Sequence, residues 1–162
     1  MNVFLRDVHE SDLPLFYAHQ LDPEATRMAA FPSRDWDAFT THWAKIMTGT
    51  TGLVRTIIFD GTVAGNICCW QDSGEQLVGY WIGREHWGKG IATAALAEFL
   101  ARLPDRPLAA RVAKHNVASI RVLEKCGFTP VTEDAFTEPD GTHVVEAVFR
   151  LDPLSPRSGE NT

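Results

Sequence analysis

The sequence predicts an α/β domain with one mixed, mostly antiparallel sheet flanked by helices. Two hairpin signals and one crossover carry that reading. Val54–Phe59 and Thr62–Trp70 are β-rich runs joined by Asp60-Gly61, and Phe128–Thr132 and His143–Leu151 are joined across Glu138-Pro139-Asp140-Gly141. Short glycine-bearing turns between such runs mark hairpins. Between the hairpins, Leu77–Ile82, Gly88–Arg102 and Leu108–Ala113 read as strand, helix and strand, a length that suits a crossover between parallel neighbours. The 162 residues fit one domain able to bury a sizeable core.

Val3–Arg6 reads as a short first strand. Ser11 or Asp12 then caps a helix with Pro14 in its first turn, and Leu13, Phe16, Tyr17, Gln20 and Leu21 follow helical spacing. Pro23–Met28 is a second short helix begun after Asp22, and Phe31-Pro32 breaks it because proline drives its predecessor out of the helical region. Asp35–Met47 carries Trp36, Phe39, Trp43 and Ile46 on one stripe, which reads as core packing ahead of ligand stacking. Gly49 and Gly52 end it. Gln71–Glu75 is a polar turn leading to the strand at Leu77, so three consecutive antiparallel strands precede the crossover. Leu103–Pro107 stops the crossover helix. Asn116–Cys126 is the last helix, with Ile120, Val122 and Leu123 inward and Gly127 in the C-terminal glycine position. The domain is expected over 1–152, with a disordered tail over 153–162.

Apolar residues make up 44% of the chain and charged residues 22%, ordinary values for a globular protein. A net charge of −6 argues against a nucleic-acid partner, whose surface would call for a basic excess. It leaves room for an anionic ligand held by local donors. No run approaches the roughly 18–20 apolar residues of a membrane span. The segment MNVFLRDVHE is charged and lacks a signal-peptide apolar core, so the expectation is a cytoplasmic protein with no membrane partner. Cys68, Cys69 and Cys126 are odd in number, and the adjacent pair would point to opposite faces of a strand, which argues for buried free thiols. The six histidines show no ligand spacing, so no structural metal is expected.

The chemistry concentrates where the apolar strand ending at Ile82 meets Gly83, Gly88 and Gly90 and then an Ala- and Leu-rich helix. The first amides of a helix lack internal partners and carry partial positive charge, and glycine lets an anion reach the bare backbone. Gly83–Gly90 comes within one residue of G-x-x-x-x-G-K-[ST], but Gly90 supplies no hydroxyl for magnesium. A dinucleotide site would need a third glycine and an early parallel sheet, and both are missing. A pyrophosphate held by backbone amides without metal remains.

The segment Gly79–Ala95, together with Asn116–Phe128 (NVASIRVLEKCGF), resembles the GNAT superfamily of acetyl-CoA-dependent N-acetyltransferases. The similarity is closest to the branch of ribosomal-protein alanine and serine N-acetyltransferases. The resemblance implies a single domain whose sheet splays between the fourth and fifth strands. The family's Arg/Gln-x-x-Gly-x-Gly/Ala motif cradles the CoA pyrophosphate. Gly88 and Gly90 match its glycines, so amides of Trp87, Gly88, Lys89, Gly90, Ile91 and Ala92 are expected to face the phosphates. Glu85 stands where Arg or Gln is usual, with Arg84 and Lys89 nearby. Main-chain groups of Trp81, Ile82 and Gly83 are the implied partners of the pantetheine amides. Asn116 is implied to contact the pantetheine arm and equally suits a helix N-cap.

The implied reaction moves an acetyl group from acetyl-CoA to a primary amine of a small molecule or a protein N-terminus. A homodimer stays open. The reaction requires a neutral amine, an oxyanion donor, which the family places at the backbone amide near Ile82, and a proton for the leaving thiolate. Many members carry a tyrosine seven residues after the asparagine; here that residue is Leu123, which donates nothing. The branch's serine matches Ser119, which is either the proton donor or a first-turn helix hydroxyl. The branch's glutamate after the Gly-Phe pair is replaced by Val131, leaving Glu75, Glu133 or a water chain as base. The acceptor pocket is implied around Met28–Trp43, Trp70, Gln71 and Tyr80, an aromatic wall. The departures at Glu85, Leu123 and Val131 motivate an alternative, an acyl-CoA-binding sensor without turnover.

Overall fold

A computed structural model of the protein describes residues 2–49 and 52–153, so the tail expected beyond Pro153 lies outside the described residues. The elements are β1 (Val3–Arg6), α1 (Leu13–Leu21), α2 (Pro23–Ala29), α3 (Trp36–Thr48), β2 (Leu53–Phe59), β3 (Thr62–Asp72) and β4 (Glu75–Ile82). There follow α4 (Ile91–Arg102), β5 (Leu108–Ala113), α5 (Val117–Lys125), β6 (Thr129–Thr137) and β7 (His143–Leu151). The seven strands form one sheet in the order β1-β2-β3-β4-β5-β7-β6. All neighbours run antiparallel except β4 and β5, which are parallel and joined by the α4 crossover.

That parallel pair is barely a pair. Its register consists of Leu77 opposite Ala109 alone, whereas β4 is matched to β3 from Glu75 through Ile82. Beyond Leu77 the two strands part. The sheet is therefore splayed between its fourth and fifth strands, and backbone groups of β4 on that side have no strand partner.

The strands outrun their expected lengths at the turns. The β3–β4 hairpin closes through Ser73 and Gly74 alone, at φ 51° and 82°, so Gln71 and Glu75 belong to strands instead of a loop. Asp60 and Gly61, at φ 48° and 83°, form the β2–β3 turn in the same left-handed geometry, which matches the twist of paired strands. β6 runs on to Thr137 because β7 pairs with it along its whole length, although its polar side chains are exposed and leave little apolar pattern to read. The helix α4 starts at Ile91, not at Gly88. Gly88 and Gly90 sit at φ 75° and 76°, outside helical space, and Arg84–His86 form a short 3-10 turn before them.

Two apolar layers hold the sheet. On one side Phe99, Leu96 and Ile91 of α4 and Leu123 of α5 pack on Ile67, Val78, Leu108 and Phe149. On the other, Phe16 of α1 meets Phe39 and Trp43 of α3, with Phe16 and Trp43 ring centroids 5.1 Å apart. The aromatic stripe is thus mainly core. Trp36 lies at its exposed rim, edge-on to Tyr17 at 5.0 Å. Cys69 is buried and Cys68 half-buried, and all three thiols are free.

Asp35 caps α3 by accepting from the Ala38 amide at 2.8 Å, and Asp22 caps α2 by accepting from Glu24 at 3.0 Å. Asp12 does something else. Its buried carboxylate accepts two hydrogen bonds from the Arg6 guanidinium, at 2.7 and 2.9 Å, one from the His9 amide at 2.9 Å and one from the buried Thr56 hydroxyl at 2.7 Å. The entrance to α1 is thereby pinned to β1 and β2. Burial pushes the Asp12 carboxyl up, but these donors more than offset it and hold it at about 2, below its ordinary 3.8. A carboxyl lowered on folding stabilises the fold above its ordinary pKa and loses that contribution as pH falls through its folded value. Urea unfolding of the wild type should therefore lose about 2 kcal/mol between about pH 4 and pH 2, and Asp12→Asn should be less stable at pH 7 and flatter across that window.

Candidate active site

The parting of β4 and β5 opens a cavity of about 460 Å³. Tyr80, Trp81 and Ile82 of β4 form one wall. Trp87, Gly88, Gly90, Ile91, Ala92 and Thr93, from the glycine turn into α4, form the floor at one end. Asn116, Ser119, Arg121, Val122 and Lys125 of α5 face them, and Ala25, Met28 and Ala29 of α2 close the top. The α2 wall is tied in place by His115, whose Nε2 lies 2.7 Å from the Arg27 carbonyl oxygen.

The glycine turn has the chemistry of an anion site. Positive φ at Gly88 and Gly90 turns the chain just before α4, the first residues of α4 line the cavity, and a Cβ on Gly88 would meet no protein atom within 4 Å. No side chain caps α4 at Gly90. Arg121 and Lys125, four residues apart on one face of α5, add two cations to the same cavity. Their one-turn spacing on the helix begun by Asn116 is the only sequence signal for this pair, which the glycine motif does not include. Asn116 itself caps α5, accepting from the Ser119 amide at 3.2 Å.

Gly83, expected at the ligand through its main chain, has its amide engaged within the protein, and the Lys89 side chain, as distinct from the amide expected there, turns to an aromatic ring. The Gly83 amide donates to the Ala64 carbonyl at 2.8 Å, and a Cβ there would lie 2.6 Å from His19 Nε2. Lys89 places its ammonium 5.6 Å over the Phe59 ring. Neither lines the cavity. Trp81 and Ile82 do, although the Ile82 carbonyl already accepts from the Trp87 indole at 2.9 Å and the Trp81 indole donates to the His19 carbonyl at 3.3 Å. Glu85 is exposed, with one oxygen 3.7 Å from His86 Nε2 and 3.9 Å from His19 Nε2. Burial pushes His19 down from its ordinary pKa. Among the described residues, no group of three or more His, Cys, Asp or Glu side chains is placed to hold a metal.

Behind the splay lies a second cavity of about 110 Å³, lined by Gly79, Ala110, Arg111, Ala113 and Leu123 among others. Ala29, Tyr80, Asn116 and Ser119 line both cavities, so the two meet there. Tyr80 Oη and Ser119 Oγ are 2.7 Å apart at that junction. Burial pushes the Tyr80 phenol up to about 12, against the Ser119 hydrogen bond, which lowers it. The base candidates are elsewhere. Glu75 is paired with Arg111 at 3.5 Å on the outer sheet face, where Arg111 also meets Asp134 at 2.7 Å and Glu146 at 3.5 Å. Glu133 pairs with Lys114 at 2.9 Å, and Val131 is exposed on β6. Of the expected acceptor wall, Met28 and Tyr80 reach the cleft, Phe39 and Trp43 are core, and Trp70 lies over Gly79.

A mixed sheet parted between β4 and β5, with a glycine turn and a helix start lining the cleft so opened, is the architecture of a class of acyltransferases. The family model described as the acetyltransferase (GNAT) domain matches residues 2–129. The chain belongs to the GNAT acetyltransferase family. No curated protein matches it in sequence. Among solved structures it is similar to spermidine N-acetyltransferase from Vibrio cholerae in complex with CoA and spermine. There the TM-score is 0.79 at 16% identity, over 93% of this chain and 95% of that one. It is also similar to RimL, a ribosomal L7/L12 alpha-N-protein acetyltransferase in complex with coenzyme A, with TM-score 0.76, 19% identity and 94% of each chain covered. A third is the Microcin C7 self-immunity acetyltransferase MccE in complex with acetyl-CoA and AMP, with TM-score 0.75 and 17% identity over 93% of this chain and 92% of that one. These likenesses show the fold.

The glycine turn makes a direct prediction. Gly88→Val adds a branched side chain at a positive φ and in the ligand's approach, so calorimetry should find CoA affinity at least about tenfold weaker, with an unchanged far-UV circular dichroism spectrum.

Proposed function

We propose that this chain transfers the acetyl group of acetyl-CoA directly to a primary amine, on a small molecule or a protein N-terminus. The observation that carries the reading is the junction at Tyr80 and Ser119, where the 460 Å³ cleft meets the cavity behind the splay. In this reading the pyrophosphate lies on the amides of Gly88 to Ala92, with Arg121 and Lys125 beside it. The pantetheine arm follows the unpaired edge of β4 at Trp81 and Ile82 and passes Asn116. An extended amide chain laid there supplies the hydrogen bonds that β5 withholds. The thioester then reaches Tyr80 and Ser119, and the amine enters from the Gly79 and Arg111 side.

The attacking nitrogen forms its bond to the carbonyl carbon and gives up a proton to water. The carbon–sulfur bond breaks with its electron pair on sulfur, and Ser119 gives its hydroxyl proton to that sulfur and recovers one from solvent. Backbone amide near Ile82 holds the charge on the carbonyl oxygen meanwhile. Glu75, engaged with Arg111, supports no direct role as base and reaches the second cavity only through that guanidinium, so deprotonation through water is the reading the placement favours. The structural relatives acting on spermidine and on a ribosomal protein terminus support testing both kinds of acceptor.

Thiol release from acetyl-CoA with a panel of polyamines, amino acids and peptides, checked by mass spectrometry for acetylated product, tests the proposal. Acceptor-stimulated release supports it. Tight CoA binding with no stimulated release across the panel would favour the sensor. Ser119→Ala should lower kcat by about tenfold to a hundredfold and leave CoA affinity within about twofold.

A further inference from the structure

We propose that Tyr80 is a positioning residue for the leaving group: its phenol fixes the Ser119 hydroxyl so that the serine proton is free for the departing sulfur. This rests on the acetyltransferase reading of the cleft. The two hydroxyls come from β4 and α5, 39 residues apart in the chain, and meet at 2.7 Å. Two hydroxyls hold two protons, and the bond between them uses one. A phenol is the stronger acid of the two, which favours Tyr80 as the donor at 2.7 Å over its longer approach to the Ser119 carbonyl, and in the proposed arrangement the serine keeps its proton for another partner. Burial keeps that phenol protonated throughout the neutral range.

Without the phenol, a serine in the first turn of a helix swings its hydroxyl to a nearby backbone carbonyl. Here the described residues give Ser119 Oγ no partner but Tyr80. Tyr80 Oη also lies 3.4 Å from the Ser119 carbonyl oxygen, which sets the ring over the start of α5. Leu123, one turn further along α5, is buried and carries no proton donor, so the phenol that reaches this part of the cleft comes from the strand. Both residues line both cavities, which puts the pair where sulfur and amine must meet.

A double-mutant cycle on the full chain tests this, with Tyr80→Phe, Ser119→Ala and the double variant assayed with acetyl-CoA and the best acceptor of the panel. Tyr80→Phe keeps the ring, and calorimetry with CoA on each variant confirms an intact cleft. The expected result is a kcat about tenfold lower for Tyr80→Phe at unchanged KM for acetyl-CoA, and less than about twofold further loss when the same change is made on Ser119→Ala. An equal loss in both backgrounds, or none in the wild-type background, overturns the positioning role while the acetyltransferase reading stands. A wild type that binds CoA and releases no thiol with any amine overturns both.

Discussion

The separation of β4 from β5 after a single matched pair is the constraint on which the rest of this protein depends. Unpaired backbone amides and carbonyls inside a protein cost free energy unless something satisfies them, about 1–3 kcal/mol for each buried group. The sheet carries that opening because both strands are secured on their other sides, β4 by β3 over its whole length and β5 by β7 over its whole length. Close backbone approach helps. A Cβ on Gly65 would overlap the Trp81 carbonyl oxygen, and a Cβ on Gly79 would come within 3.1 Å of the Trp70 ring. Glycine at these two positions lets β3 and β4 stay together while β4 turns from β5.

The helices fill the gap from both ends and bring chemistry with them. α4 delivers its free amides because Gly88 and Gly90 rotate the chain just before it, and α5 delivers Asn116, Ser119, Arg121 and Lys125 from successive turns of one short helix. Charge is sorted along the same axis. The glycine-turn end holds Arg121 and Lys125 with the helix dipole, while the outer sheet face beyond Tyr80 gathers Glu75, Asp134 and Glu146 around Arg111. A chain of net charge −6 therefore gathers cations at one end of the cleft without being basic overall.

Much of the frame was legible in local signals. Asp60-Gly61 set a hairpin because only left-handed φ values close so short a turn, and Asp22, Asp35 and Asn116 started helices by accepting amide hydrogen bonds. Asp12 carries the same local signal as those caps, yet its carboxylate serves Arg6 and Thr56, a partner 44 residues away. The Ala- and Leu-rich run after Gly90 draws the expected helix start back to Gly88, whereas the two glycines form a left-handed turn and α4 begins only at Ile91. Glu75 is near the splayed strand's cleft-lining residues in sequence, but it is the first residue of β4 and they are the last, and its carboxylate pairs with Arg111.

By itself, then, the sequence determined the hairpins, the crossover, the glycine turn and the family to which they belong, since each depends on residues within one turn or one short motif. Only the tertiary structure decided which side chains meet in the cleft. Tyr80 and Ser119 come from different elements, and Arg121 and Lys125 acquire a purpose only once α5 lies across from the glycine turn. The distances that join them are set by where a strand leaves its neighbour and where a helix settles in the gap, and both follow from packing over the whole sheet.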